Sequence, residues 1–484
     1  MKELLNKYET IIGLEVHVQL STKSKAYCSD ANVFGAAPNT CTSPISLGHP
    51  GTLPKPNKKV IEYAIKLGLA FNCNINKENL YARKNYYYTD LPKGYQITQD
   101  KTPICTNGCV EIYNQNGESN TIKLTRIHME EDAGKSIHDL DPFNSLIDLN
   151  RAGVPLLEIV SEPDLRTSKE AYNYLQEIRK IVRYLNICDG NMEEGSLRCD
   201  ANISVRLKGS KELRNRVEIK NLNSFSNVQK AIDLERNRQI IAYENGEKIE
   251  QQTRNYNAKN NTTIVLRKKE DAQDYRYFPE PDIQPVLITS DMIADVKQEM
   301  PALPNELFQK YTSKYNLSVY DSKNLTENKD LSMLFESVIT FTKHYKTAAN
   351  IIMGIIKSYL NETSKEIPDL NLKPKFIAEL TEMIEKDEIN HSIASQKIFP
   401  EMIKNCKLNP RKIAKERNWI QKKDNDLLKK YVKESLQNHP EKVLAYKNGN
   451  KNLLGLFMGE AMRLSKGTAN PKILNELIKK ELES

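Results

Sequence analysis

IIGLEVHVQL, residues 11–20, sets the character of the first part of the chain. Leu14, Val16, Val18 and Leu20 alternate with Glu15, His17 and Gln19, the period-two pattern of a strand with one wet face. The same alternation fills residues 197–207. There Leu197, Cys199, Ala201, Ile203 and Val205 oppose Arg198, Asp200, Asn202, Ser204 and Arg206. Further strand-like runs occupy 122–130, 154–160 and 217–222. Helical spacing lies between them. Val60, Tyr63, Ala64 and Leu67 mark a helix over 57–69, and Ser168 and Glu170 open one whose stripe runs from Ala171 to Leu185. A third helix runs from the Asn223-Ser224 region to about Tyr243.

Outward from this body, Tyr275–Pro285 (YRYFPEPDIQP) is dense in proline and aromatics and ends the pattern. The rest reads as helical. A second helical block begins near residue 405, where Asn409-Pro410 and Asn470-Pro471 each place a capping residue before a proline, and Gly467 sits where a C-terminal cap falls. A length of 484 residues fits roughly three domains.

Charged residues make up 28% of the chain and no apolar run approaches the roughly 18 residues of a spanning helix, so a membrane-embedded chain is not expected. The opening MKELLNKYET has neither an apolar stretch nor an Arg/Ser-rich presequence, and a cytoplasmic location is expected. The eight cysteines are scattered, as reduced thiols would be, with only Cys105 and Cys109 close. Net charge is +8, and residues 401–484 hold 19 Lys/Arg against 10 Asp/Glu, which leaves the preceding 400 near neutral. A basic end on a neutral body suits a polyanion such as nucleic acid, or equally a lysine-rich solvated surface.

Several stretches could carry chemistry. Glu15 and His17 leave the same strand face, and RIHMEEDAGKS (126–136) puts His128 and Glu130 on another, beside Glu131 and Asp132. The Ala-Gly-Lys-Ser in that stretch is no P-loop, because Met129 stands where the first glycine belongs. Glu158 lies inside the apolar run 156–160, where an ionised carboxylate costs several kcal/mol unless it is paired or bound to a cation. Arg198 and Asp200 share a face that reads either as a salt-bridge ladder or as a phosphate and metal site, and Glu218 and Lys220 share another. RKNYYYTDLPKGYQ (83–96) interleaves Arg83, Lys84 and Lys93 with four tyrosines, which suits a nucleotide or a plain surface loop. Acids, histidines and cations on several strand faces fit Mg²⁺-assisted phosphoryl transfer.

The ordered runs IIGLEVHVQL, LGHPGTLPKPN, RKNYYYTDLPKGYQI, RIHMEEDAGKS, DLNRAGVPLLEIVSEPDL, MEEGSLRCDANISVR, EIKNLNSF and DYRYFPEPD closely resemble the GatB/GatE family, the B component of the tRNA-dependent aspartyl/glutamyl amidotransferases (GatCAB). LLGLFMGEAMRLSKGTANP resembles the family's tail, so the likeness runs from about residue 8 to the end. The resemblance implies an α+β chain in three parts. Residues 1–292 would form a mixed or antiparallel-sheet cradle similar to the glutamine synthetase catalytic fold, 293–404 an all-helical domain and 405–484 a helical tRNA-binding tail. It implies a ligase that uses ATP and Mg²⁺ to phosphorylate the side-chain carboxylate of Glu or Asp misacylated on tRNA. Ammonia from a partner amidase (the glutaminase, GatA) then displaces phosphate, and a small third protein, GatC, completes the complex.

By motif, the metal ligands fall on Glu15, His17, Glu130 and Glu158. Glu130, Glu158, Arg198 and Lys220 are the expected catalytic set, Arg83, Lys84, Lys93 and Asp200 the nucleotide contacts, and Lys447, Lys451, Arg463 and Lys466 the tRNA backbone contacts. Many members carry four zinc-knuckle cysteines. Here the matching positions are Cys28, Asp30, Ser43 and Ser46, so zinc is not expected and the loop should be held by packing alone. Two other readings stay open: a tRNA-binding scaffold without activity, and a ligase acting on a free amino acid.

Overall fold

Tyr8–Gln19 is the middle strand of a nine-stranded sheet. In order across the sheet the strands are Thr262–Lys268, Gln252–Asn257, Val217–Leu222, Leu197–Leu207, Tyr8–Gln19, Pro155–Ser161, Ser119–Glu131, Cys105–Tyr113 and Asn74–Ile75. Every neighbouring pair is antiparallel except Val217–Leu222 with Gln252–Asn257. This computed structural model describes residues 2–114, 118–268, 275–405, 408–420, 425–465, 469 and 471–483. It divides into two units, Met1–Leu303 and Pro304–Ser484.

The alternation in the sequence sorts the two faces of the sheet. Leu14, Val16, Val18, Leu197, Cys199 and Ala201 are buried on one of them, and each of the leucines and valines contributes about 1.5–3 kcal/mol of transfer free energy. Three helices cover this face: Lys58–Ala70, Ser168–Tyr184 and Phe225–Glu244. The first starts at Asn57, whose side chain accepts from the Lys59 N–H. The second starts in a capping box between Thr167 and Glu170. Lys58–Ala70 lies so close to the sheet that a Cβ at Gly68 would meet Cys105 Sγ at 2.5 Å, so only glycine permits this packing.

The opposite face carries Glu15, His17, Arg198, Asp200 and Glu158. Above part of it sits a small sheet of Ala82–Asn85, Tyr95–Thr98 and Phe278–Pro279. The helix Ser290–Gln298 stays with this unit: Val296 is buried in its core, and Glu299 pairs with Lys66 at 3.3 Å.

Hydrogen bonds, and not packing alone, hold the loop around Cys28. Ser46 Oγ donates to Asp30 Oδ2 at 2.5 Å and accepts from the Ser43 N–H at 3.0 Å. Burial opposes the charge on Asp30, but hydrogen bonds from Ser46, Ser43 and Cys28, with Lys25 nearby, hold its carboxyl below the usual range. The sequence expectation failed because it counted lost cysteines and overlooked that an aspartate and two serines can satisfy one another.

The second unit is helical. Its last part has a core of its own, in which Leu428 and Val432 from Asn425–Gln437, Phe457 and Ala461 from Leu454–Leu464, and Leu474 and Ile478 from Pro471–Glu483 pack together. Ser435 Oγ donates to the Phe457 carbonyl at 2.9 Å. Among the described residues no helix is long and apolar enough to cross a membrane.

Candidate active site

Register brings the polar residues of the open sheet face into rows. Glu15 lies opposite Asp200, and Asn202 opposite Glu218. His17 lies opposite Glu158, which lies opposite His128. The small sheet adds Lys84 and Thr98, and the segment before Phe278 adds Tyr275 and Tyr277. Together these residues line a cleft of about 530 Å³ that also takes in Arg126, Glu130, Arg216 and Lys220.

Two groups of potential ligands stand in this cleft. One ligand atom each from His17, Glu130 and Glu158 lie within 4.8 Å of one another, and so do those of Glu15, Asp200 and Glu218. The four ligands expected from sequence therefore divide between two sets, three in one and Glu15 in the other. His17 Nε2 is 3.2 Å from Glu158 Oε2 and 3.4 Å from Glu130 Oε1. Burial disfavours a charged His17, but its hydrogen bond to Glu158 and the charges of Glu158 and Glu130 outweigh that and raise its pKa to about 9. Burial, then the charge of Glu158, raises the Glu130 pKa; burial, then the charges of Glu158, Glu218 and Asp200, raises that of Glu15. Crowded, partly desolvated carboxylates of this kind stay ionised at lower cost beside a cation.

The cations have distinct partners. Lys220 Nζ donates to Asp200 at 2.5 Å and lies 3.3 Å from Glu218. Lys84 Nζ sits 5.1 Å from the centre of the Tyr275 ring. Burial works against its charge, but Glu130 and Glu158 still raise its pKa. Arg198 turns to the buried Asp132, with Nη2 2.6 Å from Oδ2. Arg83 and Lys93 lie outside the lining of this cleft. Arg83 forks onto Glu280 at 2.7 and 2.8 Å, and Lys93 pairs with the buried Glu131 beside a smaller cavity of about 90 Å³.

In the second unit, Lys447 ends the helix Pro440–Lys447, and Lys451 Nζ lies 4.3 Å from the Tyr446 ring centre. Arg463 is held by Glu460 at 2.8 Å, and Lys466 lies outside the described residues.

Sequence reasoning noted Glu218 only as a neighbour of Lys220. It missed Tyr275, Tyr277, Arg126, Arg216 and Asn202, whose side chain donates to Glu15 at 2.9 Å. The Tyr-Arg-Tyr alternation at 275–277 was the available signal for the two tyrosines.

A profile described as the GatB/GatE catalytic domain matches residues 10–294, and one described as a GatB domain matches 333–482. The chain belongs to the GatB/GatE family. A relative from Thermodesulfovibrio yellowstonii, named as the B subunit of aspartyl/glutamyl-tRNA(Asn/Gln) amidotransferase, is 48% identical over 477 residues, covering 99% of this chain and all of that protein. A relative of the same name from Clostridium novyi is 47% identical over 475 residues, covering 98% and 99%. The GatB/GatE catalytic match thus spans every strand of the large sheet, from Tyr8–Gln19 to Thr262–Lys268, apart from the first two residues of the former.

Proposed function

We propose that this chain is the GatB component of a glutamine-dependent ligase that converts misacylated Glu-tRNA(Gln), Asp-tRNA(Asn) or both to the amidated tRNA. It works with the amidase GatA, which frees ammonia from glutamine, and with the small protein GatC. The observation that carries the reading is the acid-lined cleft with its two ligand sets, in a chain related over its full length to proteins of that name.

A side-chain carboxylate is a poor electrophile. One of its oxygens attacks the γ-phosphorus of ATP, ADP departs, and the acyl phosphate now has a good leaving group. Ammonia attacks the acyl carbon, phosphate leaves, and a proton is lost from nitrogen to give the amide.

The donor sets suit Mg²⁺: Glu15, Asp200 and Glu218 offer three carboxylates, while His17, Glu130 and Glu158 offer two and an imidazole. Bound there, Mg²⁺ would offset charge while the phosphoryl group moves between two anions. Lys220, aligned by Asp200 and Glu218, and Lys84, beside Tyr275, present cations to phosphate oxygens in the cleft. Arg198, two residues before Asp200 on the same strand, is held by Asp132. The rings of Tyr275 and Tyr277 line the cleft and help to exclude water from it.

In this reading the body has the glutamine synthetase type of catalytic fold, and the broad antiparallel sheet with ligands on one face supports it. The loop of Cys28, Asp30, Ser43 and Ser46 carries no zinc. Residues 405–484 grip tRNA as a separate tail after a helical domain that begins at Pro304, later than the 293 expected from sequence because Ser290–Gln298 packs into the core of the body; the core of Leu428, Phe457 and Leu474 and the basic charge of this stretch support the reading.

Glu130→Gln and Glu158→Gln test the site. Each is expected to abolish ATP-dependent amidation by the assembled complex while leaving assembly intact. Full activity in either variant removes that residue from the ligand set.

A further inference from the structure

Glu158 is the middle member of a row across three strands, with His17 on one side and His128 on the other. His17 belongs to the close ligand set and His128 does not. His128 Nε2 nevertheless lies 3.4 Å from Glu158 Oε2 and 3.9 Å from Glu130 Oε2. Its side chain is 4% exposed, against 20% for His17. Its other ring nitrogen, Nδ1, is buried with no hydrogen-bond partner.

A neutral imidazole carries one proton, and the acceptor it faces decides which nitrogen holds it. No acceptor meets Nδ1, whereas two carboxylates face Nε2. The proton therefore belongs on Nε2, the nitrogen that lies nearest the oxygens a cation would also use. Partners of this kind fix the orientation of a ligating carboxylate, and their loss typically weakens metal affinity by about 10–100-fold.

We propose that His128 is a positioning residue: its Nε2–H holds Glu158 in the rotamer that serves the His17–Glu130–Glu158 cation set. The inference rests on reading that set as a cation site.

The test uses the full complex of this chain with GatA and GatC, and Mn²⁺ as the probe, with binding followed by electron paramagnetic resonance. His128→Leu removes the donor, and His128→Gln keeps an N–H within reach of Glu158. The expected result is a loss of about tenfold or more in Mn²⁺ affinity for the Leu variant, with most of it recovered in the Gln variant. The loss should fall on the site that Glu158→Gln removes, while the Glu15–Asp200–Glu218 site keeps its affinity; a general loosening of the sheet would weaken both. If the Leu variant does not assemble, His128→Asn, whose amide is too short to reach, replaces it with the same expected gap from Gln. Unchanged affinity without the donor, or a Gln variant no better than Leu, overturns the role of His128. Absence of Mn²⁺ binding by the unaltered complex overturns the cation reading itself.

Discussion

His17 shows how a single residue ties stability to function. In the ion-free protein its pKa is raised from 6.5 to about 9. A raised folded-state value means that the stabilisation is fully present below about pH 6.5 and disappears as pH climbs through about 9. The thermal midpoint of the complex in a chelator should therefore fall between pH 6.5 and 9, and His17→Gln should flatten that fall. An equal fall in both proteins would assign the slope to other groups. The strand alternation made Glu15, His17 and Glu130 visible in the sequence, because side chains two apart must share a face, while Glu158 stood out as a carboxylate inside an apolar run. That Glu15 parts from the other three was not visible. It depends on Glu15 meeting Asp200 and His17 meeting Glu158, and registers are set by pairings between strands more than 100 residues apart.

At the scale of elements, the sequence reveals those that are locally self-consistent. Ser168–Tyr184 has a clean apolar stripe and a capping box at Thr167, and Leu197–Leu207 alternates without interruption. Cys105–Tyr113 escaped notice because Asn107 sits at φ 56° and Gly108 follows it, which reads locally as a turn. The structure uses this irregularity for close approach. A Cβ at Gly108 would lie 2.2 Å from Cys73 Sγ and 2.9 Å from the Phe71 carbonyl oxygen, so the chain there must be bare. Gln252–Asn257 was also missed. With Val217–Leu222 it makes the one parallel pairing of the large sheet among the described residues, and its polar sequence QTRNYN shows little apolar alternation. It nonetheless shapes the site: Thr253 donates to Glu218 at 2.7 Å and so orients a carboxylate of the second ligand set. The Cys28–Ser46 loop teaches a related lesson, since counting one residue type could not foresee the hydrogen-bonded centre around Asp30.

For the whole molecule, the proposed division of labour is between a chemical body and a tRNA-gripping end. Removing residues 405–484 should weaken tRNA binding by the complex and reduce its dependence on salt, because each lost phosphate contact lowers the slope of log affinity against log salt by about 0.7–0.9. Unchanged affinity and slope would place the tRNA grip elsewhere. Lys447 and Lys451 are better candidates than Arg463 for that contact, since Glu460 already holds the Arg463 guanidinium. A carboxylate kinase that needs its substrate on tRNA should reveal itself in ATP cleavage. The assembled complex is given Mg²⁺ with Glu-tRNA(Gln) or Asp-tRNA(Asn), and with uncharged tRNA or free glutamate as controls. ADP release is expected with at least one of the misacylated tRNAs and none with either control. Cleavage with free glutamate, or tRNA binding without cleavage by any charged substrate, would contradict it.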